Sequence, residues 1–180
     1  MYKRQPDGLR YANELVALIR SDYPQFGIAV AGYPEKHLEA PSLDVDLANL
    51  KRKVETGADI VVTQLFYDND DFFRFRDRCE KLGIRVPIVP GVLPVTSLSQ
   101  VQRITTMCGA KLPGSLLGAL EQADDPERQF QAGVDCAIRQ VQGLVEAGVP
   151  GIHFYVLNRS QATSRVMEVV DLQQGSACGC

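Results

Sequence analysis

A loop followed by an amphipathic helix carries several polar side chains that could bind a polar ligand. Tyr33 and His37 come directly after residues 27–31, an apolar run typical of a short buried strand. At about 100° per residue, the apolar side chains of the next segment share one helical stripe that can pack on a sheet. One flank of that stripe carries Asp46, Asn49, Arg52 and Lys53. These side chains can hydrogen-bond the polar groups of a ligand.

The same pattern also fits a helix that binds nothing. Polar residues border the apolar stripe of any amphipathic helix, and most of them contact only water. Asp44, Lys51 and Glu55 on the opposite flank are interpreted in that way. A loop histidine is also usually a surface residue, so spacing alone leaves both interpretations open.

A glutamine interrupts an otherwise apolar strand pattern. Gln64 alternates with Val62 and Phe66, so all three share one face of the predicted strand. Burial there would leave the amide in need of hydrogen-bond partners. Gln64 therefore either bonds to other core groups or contacts a ligand.

The apolar patterns predict strands that alternate with helices. The predicted strands are residues 27–33, 59–66, 86–91 and 151–157. The predicted helices are residues 9–19, 42–56, 72–82, 98–107, 112–120, 127–146 and 160–170. Right-handed βαβ units with a parallel sheet follow from this order, either as an open doubly wound sheet or as half of a (β/α)8 barrel.

Polar residues follow each predicted strand and mark the edge of the sheet where a ligand is expected. They are Tyr33 and His37, Gln64 and Asp68, Thr96 and Ser97, and Asn158 and Arg159. Barrel enzymes place their active sites at the carboxyl ends of the strands, and open α/β sheets bind ligands there too. The clusters favour a barrel without excluding the open sheet.

Composition is typical of soluble globular proteins. The chain has 180 residues, of which 45% are hydrophobic and 23% are charged. A net charge of −3 argues against a nucleic-acid or anionic-membrane partner. Neither a secretory signal nor the roughly 20-residue apolar run of a membrane helix is recognisable. We therefore expect a cytoplasmic protein with no membrane partner.

The cysteines predict no metal site, because none of the five has Cys-x-x-Cys spacing. Cys79 and Cys136 lie in predicted helices and are interpreted as small packing residues. Cys178 and Cys180 end a Gly/Ser-rich segment, where a frayed terminus is a simpler interpretation than metal binding.

Several motifs in one order resemble the methylenetetrahydrofolate reductase family. They are AGYPEKH at 31–37, TQLF at 63–66, PGVLP at 90–94 and HFYVLNR at 153–159, together with the polar helix residues. The resemblance runs from about Tyr11 to Val170 and covers the second half of the family's catalytic barrel. It implies a (β/α)8 TIM barrel of which this chain supplies roughly the last four βα units.

The chain is accordingly predicted to have three parts. Residues 1–8 are predicted to be a disordered leader, residues 9–172 a partial barrel domain, and residues 173–180 a flexible tail. Because a typical barrel needs about 250 residues, we expect an N-terminally truncated piece of a longer protein. Half a barrel leaves its outer strands unpaired and its inner face uncovered.

The resemblance implies an FAD cofactor and a folate substrate. Residues matching the family's FAD-binding positions are Ala12, Tyr33, His37, Ala40, Asp46, Asn49, Arg52 and Lys53. Tyr33 and His37 would line the ribityl and diphosphate region, and the helix residues would hold ribose, adenine and diphosphate. Residues matching folate contacts are Gln64, Gln100 and Arg159, with Gln64 also meeting the nicotinamide. Solvated helix positions are the alternative for Gln100 and Arg159.

The implied activity is reduction of 5,10-methylenetetrahydrofolate to 5-methyltetrahydrofolate in one-carbon and methionine metabolism. NADH or NADPH would reduce FAD, which would then pass a hydride to the folate. The full-length parent is expected to be a homo-oligomer. The family's catalytic Glu and the acidic stretch near its flavin have no counterpart in this chain, so no residue is assigned as the catalytic acid.

Three alternatives stand beside this interpretation. The chain could be a catalytically incomplete FAD-binding fragment, or the reductase part of a homocysteine methyltransferase fusion. It could also be an FAD-dependent barrel oxidoreductase of the proline dehydrogenase type. Gln64 and the Leu157-Asn158-Arg159 segment argue against the last of these.

Overall fold

The computed structural model describes residues 8–170, and each helix and strand predicted from the sequence is present there. The helices are α1 (Ala12–Asp22), α2 (Leu43–Glu55), α3 (Asn69–Lys81), α4 (Leu98–Cys108), α5 (Gly114–Gln122), α6 (Pro126–Glu146) and α7 (Gln161–Val169). The strands are β1 (Ala29–Gly32), β2 (Ile60–Leu65), β3 (Ile88–Val92) and β4 (His153–Phe154). Among the described helices, none combines the length and the apolar character needed to cross a lipid bilayer.

Two predictions concern residues outside this range. The predicted disordered leader falls outside it except for Gly8, and the predicted flexible tail, with Cys178 and Cys180, falls outside it entirely.

The four strands form one parallel sheet in the order β1-β2-β3-β4. Each strand pairs with the next one along the chain, so right-handed crossovers place α2, α3 and α6 together on one face of the sheet. A doubly wound sheet instead changes direction and carries helices on both faces. The strand order therefore selects the barrel type of sheet, and the predicted fold class is confirmed.

The main core fills the space between the sheet and the helices. Val61 of β2 is fully buried, as are Phe72 of α3 and Val141 and Leu144 of α6. Phe66 stacks on Phe72 with ring centroids 5.5 Å apart. Burying each such side chain stabilises the fold by about 1.5–3 kcal/mol, so this layer fixes how the sheet sits on its helices.

The opposite face of the sheet is accessible. Along β1 and β2, burial alternates: Val30 and Val61 are buried, whereas Ala31, Val62 and Gln64 are exposed or half-buried. Parallel strands that are covered on both faces are buried at nearly every position. Beyond the strand ends, where Ile104 of α4 packs on Leu65 and Leu93, the inner-facing positions of β1 and β2 stay accessible within residues 8–170, and β1 and β4 each have a neighbour on one side only. The described chain therefore has the open edges expected of half a barrel.

The fourth strand is shorter than predicted. It contains only His153 and Phe154 because the chain turns just beyond it. Leu157 and Asn158 both have positive φ, at 45° and 60°, and such angles cannot continue a strand. His153, which lies inside the predicted strand, is exposed at this edge.

The third helix begins earlier than predicted, at Asn69 and not near residue 72. Asp68 supplies the N-cap, because its carboxylate accepts the amide hydrogen of Asp70 at 2.9 Å. The residues around this cap are polar and have no helical periodicity. The apolar pattern starts only after them, so it did not predict the first turn of α3.

Candidate functional site

The connection between β1 and α2, residues 33–42, is shaped by short-range hydrogen bonds. Lys36 has a φ of 98°, and its Nζ donates to the carbonyl oxygens of His37 at 3.0 Å and Ala40 at 2.6 Å. The amide of His37 donates to the Asp46 carboxylate at 2.9 Å. These bonds attach the loop to the first turn of α2.

Every residue predicted to contact the cofactor lines one cavity beside this loop, with a volume of about 550 Å³. We call it the helix-side cavity. The predicted residues in its lining are Ala12, Tyr33, His37, Ala40, Asp46, Asn49, Arg52 and Lys53. The start of α1, the loop and one flank of α2 enclose it. The polar flank of α2 therefore faces a concave surface, which is where side chains can surround a ligand.

Lys53 places a partly desolvated ammonium group in the helix-side cavity. Its Nζ donates to the carbonyl oxygen of Ala31 at 2.5 Å and lies 5.9 Å from the centroid of the Tyr33 ring. Burial lowers the pKa of Lys53, and the nearby Asp46 carboxylate partly opposes that shift. An ammonium group has three donors, so two remain for a ligand, and an anionic ligand would compensate the desolvation.

Tyr33 and His37 separate the helix-side cavity from a second cavity. Their rings meet edge to face, with centroids 4.6 Å apart. Burial raises the pKa of Tyr33, and the Asp46 carboxylate raises it further. The second cavity has a volume of about 380 Å³ and lies at the carboxyl ends of β2 and β3. We call it the strand-end cavity, and Tyr33 and His37 line both cavities.

Gln64 lines the strand-end cavity from β2. Its Oε1 accepts the amide hydrogen of Leu65 at 3.0 Å, which fixes the side chain against its own strand. No acceptor for its Nε2 lies among the described residues, so this nitrogen can donate to a ligand. The same cavity has apolar walls, supplied by Leu93 and Ile104.

Tyr155 also lines the strand-end cavity, although sequence reasoning did not select it. Its hydroxyl donates to the Thr63 carbonyl oxygen at 2.9 Å, and the amide of Gly91 donates to Thr63 Oγ1 at 2.9 Å. Burial is the main cause that raises the pKa of Tyr155. Its spacing of two residues from His153 in the HFYVLNR motif was the available signal, because residues spaced in that way share one face of an extended segment.

The structure does not bring the other two predicted folate residues to either cavity lining. The Oε1 of Gln100 accepts the amide and hydroxyl hydrogens of Thr96 at 2.7 and 2.9 Å, which closes the loop before α4. Arg159 is exposed just after the turn that ends β4. Their predicted contacts with folate remain predictions.

Among the described residues, no aspartate or glutamate lines the strand-end cavity. Tyr33, His37, Gln64 and Tyr155 provide hydrogen bonds there, but no carboxylic acid is available to donate a proton. The arrangement can therefore bind and orient a ligand at the strand ends.

Comparison with known proteins identifies relatives along most of the chain. The sequence model of the methylenetetrahydrofolate reductase family matches residues 1–171. The 5,10-methylenetetrahydrofolate reductase of Pectobacterium carotovorum subsp. carotovorum is 40% identical over 164 residues, covering 91% of this chain and 55% of that protein. The Escherichia coli (strain K12) protein of the same name is 39% identical over 166 residues, covering 92% of this chain and 56% of its own length. The chain thus spans about half the length of these curated relatives.

A plant protein and a solved structure extend the comparison. Methylenetetrahydrofolate reductase (NADH) 1 of Arabidopsis thaliana is 41% identical over 162 residues, covering 84% of this chain and 27% of that protein. An uncharacterized protein from Clostridium thermocellum, described as binding two copies of 5-methyl-5,6,7,8-tetrahydrofolic acid, superposes with a TM-score of 0.59 at 15% identity. The superposition covers 88% of this chain and 57% of the Clostridium thermocellum chain. At this low identity, it supports a shared fold alone. With the family model matched over residues 1–171, the chain belongs to the methylenetetrahydrofolate reductase family.

Proposed function

We propose that the protein containing this chain reduces 5,10-methylenetetrahydrofolate to 5-methyltetrahydrofolate with FAD and NADH or NADPH, in one-carbon and methionine metabolism. This chain would supply one side of the FAD site and part of the folate site. The main support is that every residue matched to an FAD contact lines the helix-side cavity. That cavity meets the strand-end cavity at Tyr33 and His37.

The residues of the helix-side cavity fit FAD by their chemistry. Lys53 and Arg52 can donate to diphosphate oxygens, since charge-assisted hydrogen bonds favour cationic donors for such groups. Asp46 can accept from ribose hydroxyls, and Asn49 can both donate to and accept from adenine. Bound FAD would supply the hydride-transfer chemistry, and the protein residues would bind and orient it.

The strand-end cavity fits the ring system of a folate. The free Nε2 of Gln64 can donate to a pterin carbonyl or ring nitrogen, while Leu93 and Ile104 offer apolar surface to the aryl group. The Clostridium thermocellum neighbour is described as a 5-methyltetrahydrofolate binder, which agrees with this ligand class. The Arabidopsis relative bears an NADH-type name, which favours NADH among the two nicotinamide donors.

A second candidate function is that of a binding unit without turnover. The specific observation in its favour is that no carboxylate lines the strand-end cavity among the described residues. General acid catalysis of ring opening needs a proton donor within hydrogen-bond reach, and the carboxylic acid that the family resemblance implies for this role has no counterpart in the described lining. By contrast, the family match leaves no support for an oxidoreductase of the proline dehydrogenase type.

Flavin retention by the purified chain tests the proposal. The chain is incubated with FAD or with riboflavin, desalted, and examined by visible absorption. We expect FAD to be retained and riboflavin to be lost, because the helix-side cavity would bind the diphosphate and adenosine that riboflavin lacks. Loss of both flavins by a folded chain would contradict the proposed cofactor site. Addition of a folate and NADH to the FAD-loaded chain then separates turnover from binding alone.

A further inference from the structure

The loop that carries Tyr33 and His37 has a backbone that needs outside support. Lys36 lies in the left-handed region at a φ of 98°, which is unfavourable for a residue with a side chain. Such conformations persist where surrounding contacts determine them. The contacts to Asp46 and Ala40 described above support only the side of the loop that faces α2.

On its other side, the loop contacts the end of α4 and the segment that follows it. The amide of Lys111 donates to Oε2 of Glu35 at 2.8 Å. Leu38 lies directly over Gly109, where an added Cβ would overlap the leucine Cδ2. Gly109 ends α4 in the left-handed conformation with a φ of 72°. The loop and α4 are therefore in close contact at two points.

The side chain of Lys111 forms an exposed ion pair with a third element. Its Nζ lies 3.6 Å from Oδ1 of Asp71, in the first turn of α3. The Asp71 side chain is 10% exposed and also pairs with Arg74 at 2.7 Å. The lysine side chain is 72% exposed, so this ion pair contributes little, and the contact with Glu35 depends on the backbone amide of Lys111.

These contacts lie beside the strand-end cavity. Tyr33, His37 and Leu38 form its wall on the loop side, and Ile104 and Cys108 belong to its wall on α4. The separation of the two walls therefore depends on how firmly the loop is held against α4.

We propose that Glu35 is a positioning residue, which acts through Tyr33 and His37 to set the width of the strand-end cavity. The inference deepens the proposed function and rests on it for the identity of the ligand. It assigns to Glu35 no contact with substrate or cofactor. Burial is the main cause that raises the pKa of Glu35, and the hydrogen bond from the Lys111 amide opposes that shift.

Thiol reactivity of Cys108 measures the opening of this wall without any ligand. In a background with Cys136, Cys178 and Cys180 replaced by serine, Cys108 and Cys79 are the remaining thiols. Cys108 is partly exposed, whereas Cys79 is fully buried and should react only when the fold opens. The two reaction phases therefore separate local opening from unfolding.

We expect Glu35→Ala to accelerate modification of Cys108 by about tenfold, as fits the loss of one hydrogen bond to a charged group. The Cys79 phase should not change. Glu35→Gln keeps an acceptor for the Lys111 amide and should restore the slow rate. Lys111→Ala keeps the backbone donor and serves as the matched control, with a Cys108 rate close to that of the parent.

An unchanged Cys108 rate in Glu35→Ala would overturn the inference, as would equal acceleration of the Cys108 and Cys79 phases. A second readout is the affinity for 5-methyltetrahydrofolate, which Glu35→Ala should weaken and Glu35→Gln should preserve. If the parent chain binds no folate while the thiol results hold, the proposed function fails and the positioning role stands.

Discussion

Lys53 illustrates how one side chain connects the fold to a ligand. Removing an ammonium group from water costs free energy unless nearby groups replace its hydration. The Ala31 carbonyl and the Asp46 carboxylate replace only part of it, and the pKa of Lys53 is lowered as a result. An anionic group in the helix-side cavity would supply the missing contacts. The site is therefore electrostatically better suited to a diphosphate than to a neutral ligand.

We expect Arg52→Ala combined with Lys53→Ala to weaken FAD binding by at least about tenfold, because charge-assisted hydrogen bonds are lost. Equilibrium titration of flavin fluorescence measures the change. Lys51→Ala is the matched control, since Lys51 is on the opposite flank of α2 and pairs with Glu55. Equal FAD affinities for the double variant and the control would show that the flank is only a solvated surface.

Gln64→Ala is expected to weaken folate binding about tenfold while FAD retention stays near that of the parent. The reason is that Gln64 lines the strand-end cavity and is absent from the lining of the helix-side cavity. Parallel titrations with 5-methyltetrahydrofolate and with FAD measure the two affinities. Equal losses in both would contradict a specific contact with the folate.

At the residue scale, the sequence predicted correctly which side chains share one face of a helix. The period of 3.6 decides which side chains share a face, so the polar flank of α2 was predictable. The position of Gln100 was not, because its amide bonds locally to Thr96. Arg159 was also not predictable, since the turn before it uses Leu157 and Asn158 at positive φ, where no glycine signals the turn.

At the scale of elements, β2 and β3 meet at an unusually close approach. The register of β2 against β3 changes between Val62 and Leu65. At this point the hydroxyl oxygen of Thr63 accepts the amide hydrogen of Gly91. A Cβ on Gly91 would overlap the Thr63 carbonyl oxygen and lie 2.7 Å from Cε2 of Tyr155. The absence of a side chain at Gly91 thus allows Tyr155 to reach Thr63.

Gly91→Ala should lower the free energy of unfolding by about 2 kcal/mol, because an overpacked backbone contact must shift. Gly118→Ala is the matched control: it lies inside α5 with nothing within 4 Å of the added Cβ. That change should stabilise the chain by about 0.5–1 kcal/mol through helix propensity. Urea denaturation measures both, and equal effects of the two variants would contradict the close approach.

Asp59 joins α1 to the start of the sheet. Its Oδ2 accepts the amide hydrogen of Ile28 at 2.7 Å and pairs with Arg20 Nη2 at 2.7 Å. The pKa of Asp59 lies below its ordinary value of 3.8. The hydrogen bond from the Ile28 amide is the largest cause of this shift, and the hydrogen bond from Arg20 is the second. A lowered pKa means that the ionised form stabilises the fold above that value and ceases to do so as the pH falls through the lowered pKa.

We therefore expect Asp59→Asn to destabilise the chain at neutral pH and to lose that effect at acidic pH. The difference in unfolding free energy between parent and variant should be constant above about pH 5 and shrink as the pH falls below 3.8. Urea titrations at a series of pH values measure it. A difference that does not depend on pH would show that the charge of Asp59 has no part in the contact.

The elements themselves were largely predictable, whereas their ends were less so. Long periodic segments such as α6 carry a strong pattern, and their existence follows from it. The start of α3 depends on the cap at Asp68, and the end of β4 depends on a turn without glycine. Both ends are decided by hydrogen bonds of single residues that apolar periodicity does not record.

At the scale of the molecule, exposed apolar side chains occur on the elements that precede β1 and follow β4, the two edge strands of the sheet. They include Leu15 and Leu18 of α1, before β1, and Leu157 and Met167, after β4. Unpaired strands next to exposed apolar surface favour association with another chain or segment.

The purified 180-residue chain is accordingly expected to self-associate and to bind a hydrophobic dye such as ANS. Light scattering should give a mass above the 19.8 kDa of one chain. Charged substitutions on α1, Leu15→Lys and Leu18→Lys, should reduce both signals, while Leu82→Lys, away from either edge, should not. A monomer that does not bind ANS would contradict the expectation.

The barrel type of sheet could not be decided from residue patterns. Strand and helix periods are the same in an open sheet and in a barrel, so the choice depended on family resemblance. Strand order is a long-range property, because it depends on which strands pair and not on what each strand contains. The order β1-β2-β3-β4 supplies that missing information.

The two cavities draw on very different lengths of the chain. The lining of the helix-side cavity comes entirely from residues 10–53, whereas the strand-end cavity collects residues from Tyr33 to Leu157. An insertion or deletion in the connection after β3 would change the second cavity and leave the lining of the first unaltered. A change in the length of this connection can therefore alter ligand binding at the strand ends without altering the residues that line the helix-side cavity.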